Sequence, residues 1–364
     1  MTNNDYSSIL EDRQAIKKLD PSGALASAES LADQIKQVWE ERKQVVFDSD
    51  KIKSISNIVV AGMGGSALGA DVVLNLFKDS ITVPMLINRD YQLPAFVNQN
   101  SLVILSSYSG STEEVLACAK AAKIKKAQIA VISAGGELAV FAEKNQYPKF
   151  LIEAKHNPSG QPRMAIGYSI MAFIVILSAA KLLDFAEEQL LEVVDTVNLV
   201  TEKCKVEVEQ EKNKAKLLAF LSLERRPILV GAEFLEGALH VACNQFNENA
   251  KIFADYKIIP EINHHLLEGL TFPKSNSLNH FFIFFQSKLY HPRNQKRLTL
   301  TKELLEKKEI DGTIVDLETE NKITQVFELI TLTSFTNLYL AFLEKTDPCP
   351  IESVDWFKTQ LKKQ

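Results

Sequence analysis

The amino-acid sequence predicts an α/β protein made of two sandwich domains, each with a mainly parallel sheet flanked by helices. Short apolar runs that end in glycine or serine turns alternate with helix-forming segments, the pattern of a sheet wound with helices on both faces. The order strand, glycine turn, helix restarts near residue 227. We predict a first domain over residues 1–190 and a second over residues 191–364.

The elements follow the apolar periodicity in chain order. A helix is predicted from Ala24 to about residue 47, because its apolar residues recur at helical spacing. Predicted strands cover residues 57–61, 83–89, 102–105, 128–133, 227–231, 281–285 and 312–316. Further helices are predicted over residues 70–76, from 115 onward, and over 164–180, 182–221, 235–242 and 324–343.

Composition restricts the class of partner. Of 364 residues, 46% are hydrophobic and 24% are charged, as in ordinary globular proteins. The net charge of −5 argues against nucleic acid as a partner, because phosphate backbones are bound by basic surfaces. A small anionic ligand remains possible, since one site can be positive on an acidic protein.

The cysteines and the apolar segments indicate a cytoplasmic protein that does not bind a membrane. The four cysteines are far apart and show no CxxC spacing, so we expect reduced thiols and no metal site. The N-terminus shows no export signal. The apolar run from Met164 to Ala180 is interpreted as a buried core helix rather than a membrane span.

The glycine turn at residues 62–69 has two interpretations. Gly62, Gly64 and Ala67 fit the GxGxxA fingerprint of a dinucleotide site, and an NAD-dependent dehydrogenase is one alternative function. Asp90 lies slightly further along the sequence than the acidic residue that would bind the ribose in such a site. The neighbouring Gly64-Gly65-Ser66 supplies a hydroxyl, which suits a phosphorylated sugar better, and we expect no cofactor.

A hydroxyl-rich loop, Ser106 to Glu114, follows the strand at residues 102–105 and opens the next helix. Free N–H groups and the dipole of a helix N-terminus bind anions, and the hydroxyls add donors. A simple capping box is the alternative interpretation, but one cap needs one hydroxyl and this loop has several. The loop lacks the lysine of a Walker motif. We therefore predict a phosphate monoester site here, on the same sheet edge as the glycine turn.

A candidate general base lies in Asn247-Glu248-Asn249, where two amides could orient the carboxylate and bond sugar hydroxyls. An ordinary polar loop is the alternative. Asn263-His264-His265 could contribute to a metal site, but no third ligand is spaced convincingly nearby. Arg163 is a single cation before the apolar helix, either a surface charge or a group aimed at an anionic intermediate.

These motifs together resemble the sugar isomerase (SIS) domain superfamily, and within it the bifunctional phosphoglucose/phosphomannose isomerases. The resemblance runs from roughly residue 20 to the C-terminus. It depends on the following motifs: Gly62-Met63-Gly64-Gly65-Ser66, Ser107-Tyr108-Ser109-Gly110-Ser111-Thr112-Glu113, Pro162-Arg163, Asn247-Glu248-Asn249-Ala250-Lys251 and Asn263-His264.

The resemblance implies an aldose–ketose isomerase that interconverts fructose 6-phosphate with glucose 6-phosphate and mannose 6-phosphate through a cis-enediolate, without a metal. It also implies a role for each matching residue. Ser66, Ser107, Ser109 and Thr112 would hold the phosphate beside Gly64 and Gly65, Glu248 would move the proton, Arg163 would stabilise the enediolate, and His264 and Lys358 would open the ring.

In this family the histidine comes from the partner subunit, so the resemblance also implies a homodimer. A non-catalytic SIS regulator stays open as an alternative, although such a protein usually carries a DNA-binding segment and the first 50 residues show no basic recognition helix. The sequence leaves three points undecided: glucose against mannose selectivity, His264 against His265, and the extra length around residues 278–320.

Overall fold

Two parallel sheets organise the chain in a computed structural model that describes residues 9–48, 52 and 54–363. The strands of the first sheet are β1 (Asn57–Gly62), β2 (Met85–Asn88), β3 (Ser101–Ser106), β4 (Gln128–Ser133) and β5 (Lys149–Leu151). Those of the second are β6 (Arg226–Ala232), β7 (Asp255–Ile259), β8 (His280–Gln286) and β9 (Gly312–Asp316).

The spatial orders are β2-β1-β3-β4-β5 and β7-β6-β8-β9, and every pair is parallel. The register pairs Gly62 with Ser106, which places the glycine turn after β1 beside the hydroxyl loop after β3. The predicted fold class of parallel sheets flanked by helices is confirmed.

Helices cover both sheets. The α-helices of the described chain are Arg13–Leu19, Ala24–Glu29, Leu31–Glu40, Gly65–Leu76, Glu113–Ile124, Gly136–Asn145, Ile166–Ala179, Glu187–Cys204, Lys214–Ser222, Glu236–Asn249, Leu266–Gly269, Asn276–Asn279, Pro292–Lys307, Lys322–Leu343 and Glu352–Leu361. Short 3₁₀ helices cover Arg42–Gln44, Pro162–Met164, Gln210–Lys212, Glu233–Leu235 and Glu261–His264.

Two predicted long helices are each divided. The helix predicted from Ala24 to residue 47 breaks at Ser30, whose hydroxyl bonds the Ala26 carbonyl at 2.8 Å, and it ends at Glu40. The helix predicted over residues 182–221 is interrupted before Asn213, whose side chain accepts from Ala215 N and caps a new helix. Polar side chains that bond nearby backbone groups end helices in this way.

The first half packs against the second through the helices Gly65–Leu76 and Glu236–Asn249. At Gly237 a Cβ atom would lie 2.4 Å from the carbonyl oxygen of Asp71, so the two backbones approach too closely for any side chain. The predicted boundary between residues 190 and 191 falls inside the helix Glu187–Cys204. The division of the chain into two domains at that point stays a prediction.

Apolar helices fill the core. The helix Ile166–Ala179 is buried from Ile166 to Leu177, in agreement with the predicted core helix. The helix Lys322–Leu343 is long and apolar enough to cross a membrane, with a mean hydropathy of 1.5, but 94% of that window is buried inside the protein. Both helices therefore contribute to the core, and the cytoplasmic location stays a prediction.

Candidate active site

The hydroxyl loop is shaped by its own side chains. Ser107 is buried, its Oγ lies 2.7 Å from Thr112 Oγ1, and it accepts the Gly110 N–H at 3.1 Å. Thr112 is the N-cap residue of the helix Glu113–Ile124, yet its side chain makes no capping hydrogen bond. A capping box therefore does not account for these hydroxyls. Ser109 is exposed.

The glycine turn and the hydroxyl loop are joined at Ser66. Its Oγ accepts the Tyr108 N–H at 2.9 Å, and its carbonyl accepts from Ser106 Oγ at 2.7 Å. Gly64 is exposed and adopts φ +47°, with no atom within 4 Å of a Cβ built on it. The two loops thus lie side by side, and a ligand can approach the backbone closely at Gly64.

The glycine turn also contacts the segment that carries Arg163. A Cβ atom on Gly65 would lie 3.2 Å from Arg163 N, so a glycine allows this close approach. Gln161, two residues earlier, accepts a bond from Asn157 on its carbonyl, and Asn157 bonds the Tyr108 hydroxyl at 3.3 Å. The hydroxyl loop and Arg163 therefore belong to one hydrogen-bonded edge of the first sheet.

Arg163 forms an ion pair with Glu248, which lies 85 residues further along the chain. Its Nη1 lies 3.2 Å from Glu248 Oε2, and the exposed side-chain fractions are 1% for Arg163 and 30% for Glu248. Arg163 is thus a buried cation rather than the surface charge that was one of its two interpretations. Burial lowers the pKa of Arg163, and the charge of Glu248 opposes that shift.

All five N–H groups of the Arg163 guanidinium have acceptors in the protein. Nε donates to Asn249 Oδ1 at 2.5 Å, and Nη1 donates to Gln161 Oε1 at 2.9 Å as well as to Glu248. Nη2 donates to the carbonyls of Pro348 and Cys349, both at 2.8 Å. A guanidinium offers five donors in a rigid plane, so the side chain is held in one orientation.

Glu248 lies on the last turn of the helix Glu236–Asn249, which is longer than predicted; the polar-loop interpretation is wrong. The expected role of its two neighbours also needs correction. Asn247 bonds the backbone of Cys243 and Ala254, and Asn249 bonds Arg163 and Asn337. The Glu248 carboxylate instead accepts a hydrogen bond from Arg163. On a helix, successive side chains point in different directions, so the flanking amides face elsewhere.

A cavity of about 540 Å³ opens at Glu248. Its lining includes Lys251, Asp347 and the first residues of the helix Glu352–Leu361. Gln161 and Lys251 were not predicted as site residues. Both adjoin motifs that were, since Gln161 precedes Pro162-Arg163 and Lys251 ends the motif that contains Glu248.

His264 and Lys358 make no hydrogen bond or ion pair with Glu248 within the described chain. His264 ends the 3₁₀ helix Glu261–His264 and Lys358 lies on the helix Glu352–Leu361, and both are exposed. Neither side chain bonds Arg163 within the described residues. His265 Nε2 lies 4.0 Å from Glu261 Oε1. Their ring-opening roles stay predictions.

One group of side chains near Arg163 has a spacing compatible with a cation. Ligand atoms of Asp20, Asp347 and Cys349 lie within 4.8 Å of one another. The Asp20 carboxylate, however, accepts the N–H groups of Ala24 and Leu25, both at 2.8 Å. Burial and the two nearby carboxylates raise the pKa of the Cys349 thiol, which disfavours the thiolate that binds metals. The expectation of no metal stays a prediction.

Comparison with known proteins covers nearly the whole chain. Residues 9–233 match the model of the phosphoglucose isomerase family, and residues 211–361 match that of the bacterial phospho-glucose isomerase C-terminal SIS domain. The bifunctional phosphoglucose/phosphomannose isomerase of Caldicellulosiruptor bescii is 33% identical over 92% of this chain and 98% of its own. The protein of the same name from Thermoplasma volcanium is 28% identical over 88% of this chain and 96% of its own.

Solved structures share the fold. A hypothetical protein from Thermus thermophilus superposes with a TM-score of 0.75 at 17% identity, covering 99% of this chain and 94% of its own. Tagatose-6-phosphate ketose/aldose isomerase from Escherichia coli superposes with a TM-score of 0.65 at 15% identity, covering 89% and 91%.

Proposed function

Because the chain belongs to the phosphoglucose/phosphomannose isomerase family and is a sugar-phosphate isomerase, we propose that it interconverts fructose 6-phosphate with glucose 6-phosphate and mannose 6-phosphate. The single observation that carries the proposal is the Glu248–Arg163 pair, held on the same sheet edge as the hydroxyl loop. A carboxylate base beside a fixed cation, with a phosphate site nearby, is what an enediolate reaction requires.

Substrate binding starts at the phosphate. Hydroxyls of Ser66, Ser107, Ser109 and Thr112, with the N–H groups that open the helix Glu113–Ile124, would hold the anion without a lysine. The sugar would then extend past Gly64 and Gly65 toward Glu248. These assignments are supported by the hydrogen bond between Ser107 and Thr112 within the hydroxyl loop and by the bond from Tyr108 N–H to Ser66 Oγ, which joins that loop to the glycine turn.

The reaction is a proton transfer. Glu248 would remove the proton from C2 of the aldose, the electron pair would form the C1–C2 double bond, and O1 would take the negative charge. The O2 proton would then move to O1, which leaves the charge on O2, and return of the proton from Glu248 to C1 would form the C2 carbonyl of the ketose. Aldose and ketose share this enediolate, so neither a metal nor a redox cofactor is needed for the chemistry. His264 of a second copy and Lys358 would open the ring. Protonation of C2 on one face or the other of the enediolate would yield the two aldoses.

The test is conversion of fructose 6-phosphate in excess EDTA, with glucose 6-phosphate and mannose 6-phosphate measured separately. We expect both products from the wild type. Glu248→Gln should lower kcat by about 100-fold or more, since general-base catalysis contributes 10²–10⁴. Glu303→Gln, an exposed site on the helix Pro292–Lys307, is the control and should match the wild type.

Glucose 6-phosphate alone would refute the dual specificity. Loss of turnover on EDTA treatment, restored by a divalent metal, would refute the metal-independent mechanism. No turnover by a wild type that still binds fructose 6-phosphate would refute the substrate assignment, and full activity in Glu248→Gln would refute the assigned base.

A further inference from the structure

One hydrogen-bond network joins the hydroxyl loop to the proposed base. Its members, in order, are Tyr108, Asn157, Gln161, Arg163 and Glu248. Tyr108 lies between two of the serines proposed to hold the phosphate, and it donates its N–H to Ser66 Oγ at 2.9 Å. Its hydroxyl accepts from Asn157 Nδ2 at 3.3 Å. The network therefore begins inside the proposed phosphate site.

Asn157 is the buried centre of the network, with 4% of its surface exposed. Its Nδ2 donates to the Gln161 carbonyl at 3.0 Å as well as to Tyr108, and its Oδ1 accepts from Ser159 Oγ at 2.8 Å. Ser159 Oγ in turn accepts the Gln161 N–H at 3.3 Å. Both backbone polar groups of Gln161 are thus bonded. A buried amide whose donors and acceptor are all satisfied holds its neighbours rigidly.

The side chain of Gln161 completes the network at the proposed base. Its Oε1 accepts from Arg163 Nη1 at 2.9 Å, and the same nitrogen lies 3.2 Å from Glu248 Oε2. The N–H groups of a guanidinium lie in one fixed plane, so one N–H of Nη1 points to Gln161 and the other to Glu248. Gln161 therefore fixes the direction in which Arg163 bonds the carboxylate.

A hexose 6-phosphate has to meet both ends of this network at once. Its phosphate is attached to C6, whereas the proton transfer takes place at C1 and C2. The hydroxyl loop follows β3 of the first sheet, and Glu248 lies on the helix Glu236–Asn249, so the two groups come from distant parts of the chain. A misplacement of about 1 Å can lower a rate by about 100-fold, so the separation between them must be held closely.

We propose that Gln161 and Asn157 are positioning residues that set the separation between the phosphate site and Glu248, and that they thereby favour six-carbon over five-carbon sugar phosphates. Arg163 keeps the task of stabilising the enediolate, and neither amide touches the reacting atoms. This inference rests on the proposed function, because it explains how the proposed phosphate site and the proposed base act on one substrate.

The first experiment compares fructose 6-phosphate with ribulose 5-phosphate, a five-carbon ketose phosphate, as substrates of Gln161→Met. This substitution keeps the length of the side chain and removes the acceptor of Arg163 Nη1. We expect kcat for fructose 6-phosphate to fall by about 10- to 100-fold, with a much smaller change in KM because the hydroxyl loop is intact. The shorter substrate is already misplaced, so the preference for fructose 6-phosphate in kcat/KM should shrink by roughly tenfold.

Gln295→Met is the matched control for this experiment. Gln295 is also half-buried, and its side chain bonds the backbone carbonyls of Lys288 and Tyr290 rather than any member of the network. The variant should keep the wild-type kcat and the wild-type preference. A purely structural role of Gln161 would lower the free energy of unfolding without changing the preference between the two substrates.

The second experiment breaks the network at its other end with Tyr108→Phe, which removes one hydroxyl. We expect kcat for fructose 6-phosphate to fall by roughly 3- to 10-fold, the equivalent of one ordinary hydrogen bond. In a double variant with Gln161→Met, the loss should equal that of Gln161→Met alone, because the loop and Glu248 are already disconnected. Independent residues would instead give losses that multiply. Tyr147→Phe is the control, since Tyr147 is a half-buried tyrosine outside the network.

The outcomes separate this inference from the proposed function. A wild type without isomerase activity would remove both. If the wild type is active and Gln161→Met stays within about threefold of its kcat, only the positioning role is overturned. Equal losses on the two substrates, or losses that multiply in the double variant, would overturn it as well.

Discussion

Ser107 combines two tasks in a single buried hydroxyl. It bonds Thr112 Oγ1 and accepts the Gly110 N–H, so it fixes the loop that we propose to hold the phosphate. Only glycine fits at position 110, because a Cβ there would lie 1.8 Å from the Gly135 carbonyl oxygen. A change at Ser107 should therefore affect binding more than chemistry.

We predict that Ser107→Ala raises KM for fructose 6-phosphate by roughly 10- to 100-fold, the equivalent of one hydrogen bond to a charged group. The value of kcat should change much less. Steady-state kinetics test this prediction, and Ser101→Ala is the control, since Ser101 is a buried serine at the opposite end of β3. Equal effects of the two substitutions on KM would contradict the phosphate site.

At the scale of elements, the placement of Glu248 depends on how closely two helices pack. Glu248 lies on the helix Glu236–Asn249, which contacts the helix Gly65–Leu76 at Gly237. The second helix begins at the glycine turn, so this contact links the proposed base to the proposed phosphate loop. Any side chain at Gly237 would push the helices apart, since the obstructing atoms belong to the backbone of Asp71 and Val72.

Gly237→Ala should accordingly lower the free energy of unfolding by about 1–3 kcal/mol or more, the cost of an overpacked core site. Urea unfolding measures this change, and activity should fall with it because Glu248 shifts away from the glycine turn. Gly269→Ala is the matched control, since no atom lies within 4 Å of a Cβ at that position. A Gly237→Ala protein as stable as Gly269→Ala would show that the helices are not in close contact.

The sequence predicted correctly those strands that are marked by a continuous apolar run. The strand at residues 128–133 and the strand at 312–316 were predicted with the observed bounds, because each is an apolar run between polar turns. β7 was missed because Asp255-Tyr256-Lys257 interrupts its apolar pattern with charge. β5 was missed because it has only three residues. The last turn of the helix that carries Glu248 was missed because asparagine is a weak helix former.

The site was predictable only as a set of motifs. Arg163 and Glu248 were both singled out, but their contact joins segments 85 residues apart, and no periodicity encodes such a distance. The acceptors of Arg163 come from separate parts of the chain, among them Asn249 and the carbonyls of Pro348 and Cys349. Backbone carbonyls carry no sequence signal. The full set of bonds that orients the guanidinium therefore required the tertiary structure.

At the scale of the whole molecule, the last helix presents an apolar surface outward. On the helix Glu352–Leu361, Trp356 is 64% exposed, Phe357 is 56% exposed and Val354 is 40% exposed, and the first residues of this helix line the cavity at Glu248. Adjacent large apolar side chains at the edge of a site are typical of a surface that another chain covers. This arrangement supports the predicted homodimer, in which His264 of one copy would complete the site of the other.

Complementation between two inactive variants tests this arrangement directly. Glu248→Gln and His264→Ala should each be inactive alone, since each lacks one catalytic group in both sites of the dimer. In a mixed dimer, the intact Glu248 of one subunit meets the intact His264 of the other, so one of its two sites is complete. Random re-association after mild unfolding of an equal mixture should restore about a quarter of wild-type activity, because half of the dimers are then mixed and each has one complete site. Mixing the two variants without unfolding them is the control, since subunits of intact dimers exchange slowly. An active monomer in sedimentation would show that the functional histidine comes from the same chain. The same conclusion would follow if dimers shown to be mixed recovered no activity.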